Sequence, residues 1–582
     1  MDYREVSEIR DGMRIDWDVP VGMEDGVILR ADVYRPVADG RYPVILTYGP
    51  YGKWLHFEDL YSDQWQRMCE DHPDVATGST NKYQNWEVAD PEKWVPDGYA
   101  VVRVDSRGAC RSPGLLDLWS LREAQDFYHC VEWAAGQSWS SGKVGLNGIS
   151  YYAMNQWQAA ALQPPHLAAI CIWEGAADYY RDLSHHGGIY CTFADTWFPK
   201  QVVSVQHGQG TRGYRSRMNG DWVSGPATLS EEELGAARRD FAADCYASPL
   251  ASDEYWRSRM PDWSKVKTPL LSSANWGGQG LHPRGNFEGF GRAASKEKWL
   301  EVHGIEHWTE FYTDYGVRIQ KRFFGHFLKG EDTGWSKQSK VALLVRHPGE
   351  KFVARQEDEW PLKRTQWTKF YLQPEHVLTT EAQRKAGGVT YGGFSDGVTF
   401  LAPPLANDTE ITGPIAARLW VSSATEDADL FLVVRVFAPD LKEVTFMGAL
   451  DPHTPVAQGW LRASHRKLDK ALSLPYRPYH THDEIQKLKP NEIYELDIEV
   501  WPTCVVVPAG YRIGLTVRGR DYEWPGGTVK GLGNLNAVFT GVGPFRHNDP
   551  RDRPAAVFGG NVTLHMGPDR QACVLLPIIP PK

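Results

Sequence analysis

The first third of the chain alternates short apolar runs with helical patterns. Apolar runs fall at 42–48 (YPVILTY), 99–105 (YAVVRVD), 143–147 (KVGLN) and 167–173 (LAAICIW), and again at 268–274 (TPLLSSA) and 298–303 (KWLEVH). Runs this short and continuous suit strands buried on both faces. Between them, 121–136 carries Leu121, Ala124, Phe127, Val131 and Ala134 at helical spacing and closes on Gly136. A second helix is predicted from Ser150 to about Leu162, before Pro164-Pro165, and a third over about 315–328, before Lys329-Gly330. Strands alternating with helices imply a mostly parallel sheet with right-handed crossovers.

Two stretches break that rhythm. Residues 54–96 form a long Trp- and Asp-rich insertion. Residues 176–265 separate two strands that a simple crossover would join in far fewer residues, and read as an inserted helical cap with its clearest helix at 231–243. Long insertions at the C-terminal edge of such sheets usually shape the active site. From about 340 the pattern changes to alternating strand-like segments at 341–346, 367–372, 417–422, 430–437, 495–501 and 512–518, separated by turns rich in Gly, Pro and Asp. That predicts an all-β sandwich of jelly-roll type. The expected organisation is an α/β catalytic domain over 1–175 and 266–335, a helical cap over 176–265, and a β-sandwich over 336–582.

Composition narrows the picture by exclusion. The 582 residues leave room for about three domains, and 42% hydrophobic with 23% charged residues excludes a disordered chain or a coiled coil. No apolar run approaches the roughly 18 residues of a transmembrane helix. A net charge of −10 without a basic block argues against nucleic-acid and membrane partners. The N-terminal MDYREVSEIR has no apolar h-region, and the 8 scattered Cys form no CxxC pair, so buried thiols and a cytoplasmic location are expected. The 24 Trp beside 26 Tyr and 21 Phe point to apolar clefts.

Candidate chemistry centres on Gly148-Ile149-Ser150-Tyr151-Tyr152, which follows a strand and opens a helix. That is the context of a nucleophile elbow, although Tyr152 stands where the common motif has Gly. The alternative is that Ser150 merely caps the helix. A serine hydroxyl needs a base. After the last sheet strand comes Gly304-Ile305-Glu306-His307-Trp308, which makes His307 the candidate; His303 lies inside the strand and reads as a buried structural His. The acid usually follows the strand at 268–274, but that loop reads Asn275-Trp276-Gly277-Gly278-Gln279-Gly280, with no carboxylate. The run LAAICIW leads straight into Glu174, which either orients His307 or forms a structural salt bridge. Acyl transfer also needs oxyanion donors. The backbone N–H of Tyr151 is one; Tyr51, in the loop Tyr48–Lys53, is either a second or a packing residue.

Together these residues resemble the CocE/NonD family of serine hydrolases, which includes cocaine esterase, X-Pro dipeptidyl-peptidases and α-amino-acid ester hydrolases. The resemblance rests on Pro50–Lys53, on the segment Asp105 to Gly114, on Gly142 to Ala160, and on Gly459 to Arg466, in that order along nearly the whole chain. It implies an α/β-hydrolase domain, an inserted helical cap and a C-terminal jelly roll. It also implies Ser150 as nucleophile, His307 as base, and an oxyanion site made by the Tyr51 hydroxyl and the Tyr151 N–H. Two positions depart from the family: Gly278 stands where the triad Asp falls, and Cys110 occupies a Gly position of the Asp105 segment.

No metal or cofactor is expected, since adjacent His185-His186 rarely converge on one ion and no phosphate-binding Gly loop occurs. Asp105 and Arg107 read as a structural brace. Tyr152, Trp276, Trp308, Phe193 and Trp197 are candidates for an acyl pocket. The leading reading is a hydrolase of small, apolar or aromatic esters or amides. An X-prolyl dipeptidyl aminopeptidase or α-amino-acid ester hydrolase is the second, with Asp178, Asp182 and Glu174 in the region where a substrate ammonium would be held. A non-catalytic binding protein with a degenerate triad is the third. A small-molecule substrate is the expected partner, and a homo-oligomer is compatible with the chain.

Overall fold

The structure is a computed structural model that describes residues 3, 6–530 and 538–581. Its first sheet begins with three antiparallel strands, β1 (Val6–Arg10), β2 (Met13–Gly22) and β3 (Ile28–Pro36). Hydrophobic periodicity did not single these out, although Met13, Ile15 and Trp17 alternate with Arg14 and Asp16 as a half-buried strand requires. The parallel strands follow: β4 (Tyr42–Gly49), β5 (Ala100–Asp105), β6 (Ser140–Ile149), β7 (Leu167–Trp173), β8 (Leu270–Asn275) and β9 (Lys298–His303). Their spatial order is β3-β5-β4-β6-β7-β8-β9. The chain passes from β4 to β5 on one side and then crosses back to β6 on the other, so a crevice opens at the C-terminal ends of β4 and β6, where ligands bind in sheets of this kind.

Four helices flank the sheet: α1 (Leu121–Ala135), α2 (Tyr151–Ala161), α3 (Pro283–Arg292) and α4 (Asp314–Phe324). The Ser120 hydroxyl accepts from the Glu123 N–H at 3.2 Å to start α1, and Gly136 ends it. The helix expected at 231–243 is two, Glu231–Ala236 and Phe241–Ala247. Between them the Leu116 N–H donates to the Ala237 carbonyl and the Arg239 N–H to the Leu116 carbonyl, both at 2.9 Å. That pairing takes the backbone groups a continuous helix would need.

The strand expected to open the sandwich also extends the first sheet, while Arg346 pairs with Val505 of the C-terminal part. β10 (Val341–His347) pairs parallel with β9 through Leu300–Val341, and β11 (Lys351–Glu357) pairs antiparallel with β10. Two-faced burial of β10 by both parts of the chain explains why its apolar run resembles its sandwich neighbours. The C-terminal sandwich is built on the long strand Thr409–Ser423, antiparallel to Tyr494–Val507, and on Asp429–Phe437, antiparallel to Ala457–Arg462 and Arg512–Arg518. Its core is aliphatic, with Leu419, Leu432, Ile498 and Leu515 fully buried. Among the described residues no helix is long and apolar enough to cross a membrane.

Candidate active site

Ser150 sits between β6 and α2 with φ 56° and ψ −114°. A non-glycine residue at positive φ costs about 1–3 kcal/mol, and sites with such strain are disproportionately functional. Gly148, at φ 149°, makes the turn possible, because a Cβ there would lie 2.4 Å from the Tyr152 Cβ. The Ser150 N–H donates to the Trp173 carbonyl and the Ile149 N–H to the Glu87 carbonyl, both at 3.0 Å. The Ser150 side chain caps no helix N–H. Its hydroxyl meets Nε2 of His282 at 3.2 Å.

Behind His282 stands His307, its ring parallel to within 8° at a centroid distance of 5.0 Å. Nδ1 of His307 lies 2.6 Å from Glu174 Oε2, and its Nε2 lies 2.8 Å from Glu87 Oε1. Glu174 is therefore the carboxylate on His307 Nδ1, whereas the expected base does not itself carry the Ser150 hydroxyl bond. Glu174 also receives Asn275 Nδ2 at 3.1 Å and faces His303 Nε2 at 3.2 Å, and His303 Nδ1 lies 2.9 Å from Glu301. His303 is thus a buried, satisfied residue within the strand.

Charge in this row follows from its geometry. Burial works against an ionised Glu174, but the charge of His307 and the bonds from His303 and His307 hold it down at about 2. Burial works against a charged His307, but Glu174 and then Glu87 raise it to about 10. Burial pushes Glu87 up to about 7 against the hydrogen bond from His307. Burial, then the charge of His307, holds His282 well below the usual imidazole range. At neutral pH the Ser150 hydroxyl therefore faces a neutral imidazole, and behind it lies an imidazolium held between the Glu174 carboxylate and Glu87, which is partly ionised there.

The loop after β4 supplies Tyr51. Its hydroxyl accepts from Trp197 Nε1 at 3.0 Å, which turns its own proton away from the indole. Burial, then Glu87, keeps the phenol protonated, with its pKa well above the usual value. The Tyr151 N–H opens α2, where first-turn amides have no intrahelical acceptor. Its side chain points elsewhere, donating to Glu123 at 2.6 Å. The Tyr51 loop is anchored by Lys53, whose buried ammonium lies 3.1 Å from Asp18, 3.5 Å from Asp32 and 3.5 Å from Asp105. Asp105 also accepts the Lys53 and Arg111 N–H groups. Asp105 and Arg107 brace separate contacts rather than each other, because Arg107 pairs with Asp126 at 2.6 Å. Cys110 is buried at φ 51°, a conformation that accounts for glycine at this place in the family pattern.

A largely apolar pocket opens beside Ser150 and is built from distant parts of the chain. Tyr61, Trp86 and Glu87 come from the 54–96 insertion, Phe193, Trp197 and Gln201 from the cap, and Leu450 and Phe545 from the C-terminal part. Tyr61 and Trp86 stack at 3.6 Å. Phe193 and Trp197 line the pocket; the other three expected pocket aromatics do not. Tyr152 packs edge-on behind Tyr51. Trp308 lies behind Trp86, at 5.3 Å. Trp276 is directed away, into the cluster with Phe287 and Leu300, and donates to the Leu344 carbonyl at 2.9 Å, because the loop after β8 turns its indole under β10. His282, Glu87, Tyr61, Trp86 and Phe545 were not singled out from sequence. His282 carried a readable signal: it lies four residues beyond Gly278 in the loop where the acid was sought.

The chain is similar to several known proteins. Residues 25–309 match the model of the X-Pro dipeptidyl-peptidase (S15 family), and residues 333–532 match that of the X-Pro dipeptidyl-peptidase C-terminal non-catalytic domain. Cocaine esterase of Rhodococcus sp. (strain MB1 Bresler) is 25% identical, over 97% of this chain and 98% of its own length. A putative Xaa-Pro dipeptidyl-peptidase of Streptomyces avermitilis is 23% identical, over 90% of this chain and 81% of its own. A CocE/NonD family hydrolase of Staphylococcus aureus superposes with a TM-score of 0.82 and 33% identity, covering 98% of this chain and 94% of that one. An α-amino acid ester hydrolase shares the fold, with a TM-score of 0.65 at 15% identity. The fold and the comparisons define a serine hydrolase of the α/β-hydrolase class, acting on ester or amide bonds. The chain belongs to the CocE/NonD family.

Proposed function

We propose that this protein hydrolyses small esters or amides with an apolar or aromatic acyl group, through an acyl-enzyme on Ser150. The observation that carries the proposal is the Ser150 hydroxyl 3.2 Å from a neutral His282, at the mouth of an aromatic pocket. Ser150 Oγ attacks the carbonyl as His282 Nε2 takes its proton. The row behind then has its role. With both carboxylates ionised, Glu174, His307 and Glu87 carry one net negative charge, which offsets part of the repulsion between the His307 imidazolium and the one forming on His282. Glu174 orients His307, and the parallel stack orients His282. The Tyr51 hydroxyl and the Tyr151 N–H receive the oxyanion. His282 returns its proton to the leaving group, and water then enters by the same path to release the acid. The non-catalytic reading drew its support from the missing acid beside the His, and Glu174 occupies that place at 2.6 Å.

A second reading, hydrolysis of amino-acyl or X-prolyl substrates, has Glu87 in its favour as a pocket carboxylate. Asp178 and Asp182 support it less, being engaged by Arg181 at 2.6 Å and Arg284 at 2.8 Å. We also place the protein in the cytoplasm, because all eight cysteines are unpaired and seven are buried. A fluorophosphonate probe is expected to label the wild type and not Ser150→Ala; labelling of both would remove Ser150 from its role. A panel of aryl and alkyl esters against aminoacyl amides separates the two substrate readings.

A further inference from the structure

Away from Ser150, His186, Cys191 and His547 bring three ligand atoms within 4.8 Å of one another, and all three residues are fully buried. His186 and Cys191 belong to the cap, and His547 to the C-terminal part. Nδ1 of His186 lies 2.8 Å from Nε2 of His547. The outer nitrogens settle where the protons are. His186 Nε2 lies 3.0 Å from the Asp182 carbonyl, which only accepts. His547 Nδ1 lies 2.7 Å from the Asp521 carboxylate, which also receives the His547 N–H at 2.7 Å. Both outer nitrogens are therefore the protonated ones, and two inner lone pairs face each other beside a sulfur. Only a shared proton or a cation makes that arrangement favourable. A proton there would sit between rings packed on Trp460, Trp501 and Phe431, balanced on the His547 side by the Asp521 carboxylate, whereas a metal cation uses both lone pairs and the sulfur.

We propose that His186, Cys191 and His547 form a structural site for a borderline-soft divalent cation, Zn²⁺ above all, clamping the cap to the C-terminal domain. The donor set is one thiolate and two imidazoles, each with the outer partner that zinc ligands characteristically have: a carboxylate on His547, a carbonyl on His186, and the Phe193 N–H on the Cys191 sulfur. The Gly280 carbonyl, which also faces His186, or a water completes four ligands. Tetrahedral zinc, with Zn–N of about 2.0–2.1 Å and Zn–S of about 2.3 Å, sets the nitrogens about 3.3 Å apart and the sulfur about 3.6 Å from each. The nitrogens have to open by about half an ångström and the sulfur to close by at most about 1.2 Å. Binding releases the Cys191 proton to solvent.

His185, the neighbour of His186, is not among the three. His186 joins residues far along the chain, a convergence that spacing does not encode. Its consequence reaches the pocket: Cys191 is two residues before Phe193, and His547 two residues after Phe545. These two pocket rings meet at 5.2 Å, and the Thr192 N–H donates to the Arg546 carbonyl at 2.8 Å between them.

The test uses the full-length wild type, stripped with a chelator and then titrated with Zn²⁺ or Co²⁺. One equivalent bound per chain is expected, with a rise in Tm of several degrees on zinc addition. The Co²⁺ form is expected to show a thiolate-to-cobalt charge-transfer band that Cys191→Ser lacks, and His547→Gln to bind less than a tenth as much metal. Fluorophosphonate labelling of each variant checks that it has folded. Wild-type protein that binds neither ion and keeps its Tm unchanged overturns the proposal, as does a Co²⁺ spectrum unaltered in Cys191→Ser.

Discussion

At the scale of single residues, Glu174 and Glu87 hold opposite ends of the same imidazole and do different work. Glu174 is ionised throughout the physiological range; Glu87 changes charge near neutrality, at about 7. Glu174→Gln takes away the carboxylate that His303 and His307 share, leaving each buried cation a single partner, Glu301 and Glu87. Such a loss costs about 3–5 kcal/mol, read as a lower urea midpoint. In turnover it is expected to cost about 10²–10⁴, by analogy with neutralising a triad acid. Activity of the wild type is expected to fall as pH drops through about 7, because protonated Glu87 cancels the net negative charge behind His282. Glu87→Gln should lack that limb, since His282 itself protonates only well below the usual imidazole range. A Glu87→Gln profile that keeps its inflection near 7 would assign the limb elsewhere. The same row makes folding pH-dependent. His307 is raised from 6.5 to about 10, so its contribution is complete below pH 6.5 and is lost as pH rises through 10. Glu174, lowered from 4.5 to about 2, contributes above pH 4.5 and loses this as pH falls through 2. Stability of the wild type should therefore decline from pH 7 to 10, with a shallower slope in Glu174→Gln.

At the scale of elements, the loop after β4 is held by charge as well as by packing. Lys53 neutralises acids from β2, β3 and β5 at once, so the Tyr51 hydroxyl is set by three strands. Lys53→Met keeps the length and removes the charge. The buried carboxylates it abandons are expected to cost about 3–5 kcal/mol, and oxyanion support should weaken with them. A fall in kcat with KM little changed is the signature, since an oxyanion donor acts mainly in the transition state. Equal kcat in the variant would separate the anchor from the site. The turn after β6 works by strain instead: Ser150 at positive φ is held by the bonds of Ile149 to Glu87 and of Ser150 to Trp173.

At the scale of the molecule, the pocket exists only because insertion, cap and C-terminal part meet over the crevice of the sheet. Phe545 lies nearly four hundred residues from Ser150, and both line it. Removing an aromatic side chain from such a wall forfeits about 1.5–3 kcal/mol of apolar burial. Phe545→Ala is accordingly expected to raise KM for aryl esters by about tenfold or more, with fluorophosphonate labelling of Ser150 retained. An unchanged KM would place the substrate elsewhere in the pocket.

What the sequence determined by itself was local. The parallel strands, their helices and the strand–Ser–helix turn follow from periodicity and turn chemistry, which depend on neighbours within a few residues. The candidate carboxylate Glu174 was legible too, because a charge ending an apolar strand has to be paired. The tertiary structure alone decided which imidazole meets Ser150, that Glu87 closes the far side of His307, and that Trp276 turns away from the pocket. It also decided that the 231–243 helix breaks, because backbone from Leu116 claims its hydrogen bonds. These are contacts between residues far apart in the chain. A hydrogen bond or a stack is fixed by where the folded sheet delivers two side chains, and residue type at each end does not specify that meeting.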